Sequence, residues 1–186
     1  MGKVVVAEFV SLDGFIQDPA WTAPFWHDEI GNYKDAELQE ADALLLGRST
    51  YQMFAASWPG HPEEGAYKDK MNSMPKHVAT TTLTQLEWNA QRIEGDVTEG
   101  IAKLRTEKNL LVFGSGTLVD YLRAHELIDE YRLVIYPVLL GNGLRLFNPA
   151  EAEATLALTG SQVIENGVIL ATYRVSTNTV VRPSFG

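Results

Sequence analysis

A chain of 186 residues with 45% hydrophobic side chains can bury one substantial core and lies in the size range of a single domain. The absence of cysteine excludes a disulfide framework, a thiolate nucleophile and thiolate-bound zinc or iron-sulfur centres. A net charge of -9 without a run of Lys and Arg argues against nucleic acid as a partner. No window approaches the ~18 consecutive apolar residues of a membrane span, and the start lacks the regions of a signal peptide. No membrane partner is expected, and the cytoplasm is the expected location.

Residues 3–10 (KVVVAEFV) read as a buried strand that breaks at Asp13-Gly14. After Pro24 a helical stretch is expected over 25–41. The apolar run 43–46 then ends at Gly47, with a helix opening near Ser49. Residues 61–65 form a Pro and Gly loop, 76–82 a strand, and 95–108 a helix with Val97, Ile101 and Leu104 on one face. The run Leu-Leu-Val-Phe at 110–113 is broken by Gly114-Ser115-Gly116, and helical spacing resumes over 117–124. Residues 131–138 are strand-like. Two further strands, 156–164 and 168–175, flank Asn166-Gly167, a type I' hairpin signal.

This order implies an α/β fold: a central mixed, mostly parallel sheet flanked by helices, with a C-terminal antiparallel hairpin. One domain is expected over 1–178, with a tail from 179 to 186.

The segment LLLGRSTY at 44–51 delivers Gly47, Arg48, Ser49 and Thr50 from a buried strand to the first turn of a helix. Unpaired N-H groups, two hydroxyls and a guanidinium can converge there on an anion. Equally, Ser49 or Thr50 can cap the helix and Arg48 be solvated. A second turn of the same kind, Gly114-Ser115-Gly116-Thr117-Leu118, favours the anion reading, because its glycines let a pyrophosphate approach the backbone. Val119 stands where a Rossmann fingerprint needs its third glycine, which disfavours an ordinary dinucleotide fold. Thr80, Thr81 and Thr82 would offer hydroxyls beside such a ligand, although Thr is also an ordinary strand residue.

The loop 11–26 and the start of the next helix gather Asp13, Phe15, Asp18, Trp21, Phe25, Trp26 and Asp28. Aromatic faces suit a flat heterocycle, and a carboxylate among them can bind an amino-pyrimidine edge or assist protonation. Asp13 is the candidate catalytic carboxylate, with Phe15, Trp26 and Asp28 on the substrate side. The competing readings are a plain turn for Asp13 and a helix-dipole partner for Asp28. Residues 137–147 read as a glycine loop forming one wall of a cleft. No His spacing suits a metal, and no G-x-S-x-G elbow occurs.

Four segments carry a family resemblance in order: Ser11-Leu12-Asp13-Gly14-Phe15-Ile16, Gly47-Arg48-Ser49-Thr50-Tyr51, Gly114 to Leu118, and Pro137 through Gly141-Asn142-Gly143 to Phe147. With these, the chain resembles the dihydrofolate-reductase-like group that includes the C-terminal reductase domain of bacterial riboflavin biosynthesis proteins, in a stand-alone form. The resemblance implies NADPH across the strand ends and hydride delivery to a pterin, pyrimidine or similar heterocycle. It places cofactor phosphates at Gly47, Arg48 and Thr50, the pyrophosphate at 114–118, and the adenosine end at Thr80 to Thr82. A homodimer is implied as well. Riboflavin-pathway members carry a basic residue where this chain has Phe15, so the substrate stays open. A nucleotide-binding module without turnover, a structural dimer and a reductase using a deazaflavin carrier are the alternative readings.

Overall fold

The computed structural model describes residues 2–148 and 154–176, so the expected tail from 179 lies outside the described residues. In chain order the elements are β1 (Val4–Ser11), a 3-10 segment (Pro19–Phe25), α1 (Asp28–Glu40), β2 (Ala43–Gly47), α2 (Arg48–Ser57) and α3 (Ala66–Ser73). They continue with β3 (Lys76–Ala79), β4 (Ala90–Arg92), α4 (Val97–Arg105), β5 (Leu110–Phe113), α5 (Gly116–Ala124), β6 (Glu130–Tyr136), β7 (Leu156–Val163) and β8 (Ile169–Val175).

The strands form one sheet in the order β4-β3-β2-β5-β1-β6-β8-β7. The six strands from β4 to β6 are parallel, and β8 and β7 close the sheet antiparallel. The uninterrupted apolar runs of β1, β2 and β5 are explained by helices covering both faces. On one face Val4, Val6, Leu45 and Val112 pack with Ile101 of α4 and Val119 and Leu122 of α5. On the other, Val5, Leu44, Leu46 and Leu111 pack with Leu38 of α1, Tyr51 of α2 and Met71 of α3. The expected fold class is the observed one.

Several boundaries differ for local reasons. The helix expected from residue 25 begins at Asp28. Pro19 to Phe25 coil as a tighter 3-10 turn with Pro24 inside it, and His27 caps α1 by accepting from the Glu29 N-H. The strand expected over 76–82 stops at Ala79, which releases the three threonines into a loop. The 165–167 connection is not a type I' turn. Asn166 does not take a positive φ, whereas Gly167 does (86°). The Gly167 N-H donates to the Ile164 carbonyl and the Ile164 N-H to the Val168 carbonyl. That is a three-residue loop with glycine in the left-handed position.

One topological detail positions the site. From β1 the chain crosses over β5 to reach β2, while from β5 it crosses over β1 to reach β6. The connections therefore leave adjacent carboxyl ends in opposite directions, with α1 and α5 on opposite faces of the sheet. Such a switch point is where open α/β sheets hold ligands. β1 pairs with β5 only as far as Ala7 opposite Phe113, yet pairs with β6 through Ser11 opposite Tyr136. The sheet forks between β1 and β5 at Glu8 and Gly114.

Candidate functional site

Three segments read separately from the sequence meet at the carboxyl ends of β3, β2 and β5. The backbone N-H of Gly47 donates to Ser115 Oγ at 3.1 Å, and that hydroxyl donates to Thr50 Oγ1 at 2.5 Å. Arg48 Nη1 donates to Thr82 Oγ1 at 3.4 Å. The turn β5-α5 is thereby tied to the turn β2-α2, and the latter to the threonine loop.

The two helix starts are bare in the same way. Neither α2, which follows Gly47, nor α5, which follows Ser115, receives a side-chain cap. Their first N-H groups thus carry the positive ends of two helix dipoles without a side-chain acceptor, an arrangement suited to phosphate. Gly114 and Ser115 both lie in the left-handed region (φ 61° and 63°). For Ser115 this conformation is unusual, and its hydroxyl bonds to the neighbouring turn are what it gains. Space is short at Gly116, whereas at Gly114 it is the backbone conformation that favours glycine. A Cβ on Gly116 would come within 2.7 Å of Leu144, while one on Gly114 would make ordinary contact with Thr50 at 3.4 Å.

Within this group Arg48, Ser49, Thr81 and Thr117 are exposed, and Thr50 and Leu118 are buried. Thr80 turns inward to accept from the Thr82 and Leu83 N-H groups. Leu118 packs in the core beneath α5. Its contribution is to hold the turn rather than to offer a polar group.

The substrate-side residues are placed less uniformly. Asp13 accepts from the Ser11 hydroxyl and from the N-H groups of Leu140 and Gly141, at 2.6, 3.1 and 2.8 Å. These bonds pin the 138–144 loop and hold the carboxyl well below its usual range, at about 2, with the Ser11 hydroxyl the largest cause. The two backbone N-H bonds give Asp13, the candidate catalytic carboxylate of the sequence, a loop-holding task. Its replacement by Ala is expected to loosen that loop, read as faster amide exchange at Leu140 and Gly141 with little change at β5.

Phe15 is buried under the Arg145 guanidinium, 4.5 Å from ring centre to cation. Trp26 is 55% exposed, and Asp28 sits exposed in the first turn of α1, where an acidic residue complements the helix dipole.

A different group fills the space between β1, β5, β6 and α1. The ring of Tyr136 is met edge-on by Phe9, Trp21 and Phe25 at centroid distances of 5.7, 5.4 and 6.0 Å. Lys34 of α1 lies over the rings of Phe113 and Phe9, at 4.5 and 5.2 Å, and pairs with Glu37. Both charged side chains are buried.

Glu8, in the fork, is 5% exposed, and its Oε1 has no hydrogen-bond partner among the described residues. Burial pushes its carboxyl up to about 8. Lys34 and the Gly114 backbone oppose that rise, and Glu37 adds to it. The same burial raises Glu37, with Lys34 holding it down. None of these three was picked out from sequence. The available signals were a lone acid within VVVAEFV and the spacing Ile30, Lys34, Glu37, Leu38, which puts two charges on the buried face of α1.

A family model described as the RibD C-terminal domain matches residues 2–170. The chain belongs to the RibD C-terminal domain family. The uncharacterized protein YwjB of Bacillus subtilis (strain 168) is 30% identical over 178 residues, covering 90% of this chain and 95% of YwjB. A Shewanella sp. PV-4 structure described as a riboflavin biosynthesis protein superposes with a TM-score of 0.72 at 24% identity, covering 94% of this chain and 99% of that one. Dihydrofolate reductase from Enterococcus faecalis, complexed with NADP(H) and RAB-propyl, superposes with a TM-score of 0.60 at 15% identity, covering 94% and 96%. The RibD C-terminal domain thus has the dihydrofolate-reductase-like architecture here, a reductase-type fold in which the switch point lies between β1 and β5. Among the described residues no helix is long and apolar enough to cross a membrane, and no His, Asp and Glu cluster could hold a metal.

Proposed function

We propose that this protein is an NADPH-dependent reductase that transfers hydride to a pterin, a pyrimidine or a similar small heterocycle. The observation that carries the reading is the joining of two uncapped helix starts through Ser115, with Arg48 beside them. The donor set fits a dinucleotide: N-H groups of α2 and α5 for the pyrophosphate, Gly114 and Gly116 for close approach, and Arg48 with Thr80 to Thr82 for a phosphorylated adenosine end. Family membership and the NADP(H) complex of the Enterococcus faecalis enzyme support it.

The bound cofactor supplies the hydride, and the chain positions, desolvates and balances charge. The part-buried Phe9, Trp21 and Phe25 offer ring edges to a flat substrate, backed by the buried Phe113 and Tyr136 rings and by the buried Lys34. The exposed Trp26 and the buried Phe15 belong to the 11–26 loop on the substrate side, Asp28 strengthens the start of α1, and Asp13 keeps the 138–144 loop in place. A homodimer belongs to the same reading, and sedimentation at micromolar concentration tests it.

Calorimetric titration with NADPH, NADH and a deazaflavin, on wild type and Arg48→Ala, tests the cofactor. Preference for NADPH, weakened in the variant by ~1.5 to 3 kcal/mol as expected for a charged hydrogen bond, is the supporting result. Binding of the deazaflavin alone moves the reading to that carrier. If none binds, the reductase assignment fails. NADPH binding without turnover on a panel of pterins and pyrimidines leaves a nucleotide-binding module.

A further inference from the structure

The group that the site described above leaves unused is Glu8. It is the first residue of β1 beyond the last pair with β5, and Gly114, the first residue of the glycine turn, bears on its carboxyl through the backbone N-H. It thus occupies the crotch of the fork, buried, with one oxygen lacking a partner. A strand interior seldom tolerates such an acid without a reason in function.

Its place along the sheet gives the reason. Strands β3, β2, β5 and β1 are consecutive neighbours, so their carboxyl ends span about 14 Å at ~4.8 Å per strand. A dinucleotide with its adenosine end at Thr80 to Thr82 and its pyrophosphate at the Gly47 and Gly114 turns reaches β1 with its other end, the redox-active ring. The polar side chain of β1 level with the Gly114 turn is Glu8, Ser11 beyond it being bonded to Asp13.

We propose, on the basis of the NADPH reading above, that Glu8 is the catalytic acid of this reductase, a neutral carboxylic acid before hydride transfer and a carboxylate after it. In the step, the nicotinamide C-H bond breaks and its electron pair forms a new C-H bond on the substrate. The substrate C=N or C=O π bond opens onto the heteroatom, which takes the Glu8 proton. The products are the reduced heterocycle, NADP+ and a Glu8 carboxylate facing the positive ring. Solvent returns the proton when NADP+ leaves.

The charges around Glu8 fit this cycle. Lys34 and Glu37 of α1 are the charged side chains that bear on it, in opposite senses and Lys34 the more strongly, while β5 contributes only the Gly114 backbone. The carboxyl stays neutral near pH 7 until a further positive charge arrives. At an effective dielectric of ~20, a unit positive charge about 5 Å away favours ionisation on the order of a hundred-fold.

Proton counting during cofactor binding tests this without a substrate. Calorimetry of wild type at pH 7, in buffers of different ionisation enthalpy, is expected to show NADP+ releasing nearly one proton more per site than NADPH. The 2'-phosphate is common to both ligands and cancels. Glu8→Gln is expected to bind both ligands with that difference abolished. In wild type alone, NADP+ affinity should also rise towards tenfold per pH unit between 6 and 7.5 relative to NADPH, an arm that stands even if the variant does not fold. Equal proton counts for the two ligands, or a difference that survives Glu8→Gln, would overturn the role of Glu8 and leave the cofactor reading intact. Failure of both ligands to bind wild type overturns both.

Discussion

Lys34→Met is expected to destabilise the protein by about 3–5 kcal/mol at pH 7.5, the scale for removing one partner of a buried ion pair. The pair lies between α1 and the sheet, with the Lys34 and Glu37 side chains 9% and 0% exposed. Methionine keeps the apolar stem against Phe9 and Phe113, so little packing is lost. What remains is a buried Glu37 whose neutralising partner has gone, with Glu8 nearby as a second acid. Replacing Glu37 as well, in Lys34→Met/Glu37→Leu, should recover most of the loss, because apolar groups of similar volume substitute well for a buried pair. Urea denaturation of both variants measures this. An equal loss in single and double variants would mean that shape at α1, not charge, decides the effect.

The second large effect is a pH slope. The folded Glu8 carboxyl is pushed up to about 8 by burial, against an ordinary value of 4.5. Between those values the folded chain holds a proton that the unfolded chain has released. Stability from this group is therefore present at low pH and falls as pH rises through the window, by up to ~1.4 kcal/mol per unit. The depressed His77 works in the opposite sense below its ordinary 6.5, and Lys76, lowered to about 8, acts only above that value. The difference between wild type and Glu8→Gln isolates the acid, since those two groups are common to both. Unfolding curves at pH 5, 6, 7 and 8 should move steadily in favour of Glu8→Gln as pH rises. Parallel curves for the two proteins would show that the carboxyl ionises normally in the folded state.

How much of this was legible beforehand depends on the range of the cause. LLLGRSTY and LLVFGSGTL were readable because a buried strand, a glycine break and a helix start are local events, recorded in consecutive residues. That Thr50 touches Ser115 is a tertiary fact, since the two lie 65 positions apart and meet only because β2 and β5 are neighbours. β4, only three residues long and of mixed polarity, carries no pattern, and α3 buries only Met71. Asp13 drew attention as an acid in an aromatic loop. Its partners, however, are backbone N-H groups at 140 and 141, which sequence cannot bring next to it. Glu8 and Lys34 are not legible as site residues because charge ordinarily signals exposure, and here both side chains are buried.

The central place of β1 also governs how the chain comes to be folded. Its partners are β5, from Val4 opposite Leu110, and β6, from Val5 opposite Glu130. Once made, β1 therefore has no native neighbour until about a hundred further residues follow, a wait on the order of 5 to 20 seconds at ~5–20 residues per second. Its run Val4, Val5, Val6 stays open to chaperones, or to wrong pairings, throughout that time. Pairings of such sequence separation close slowly, so the fork that frames Glu8 is among the last parts of the molecule to exist.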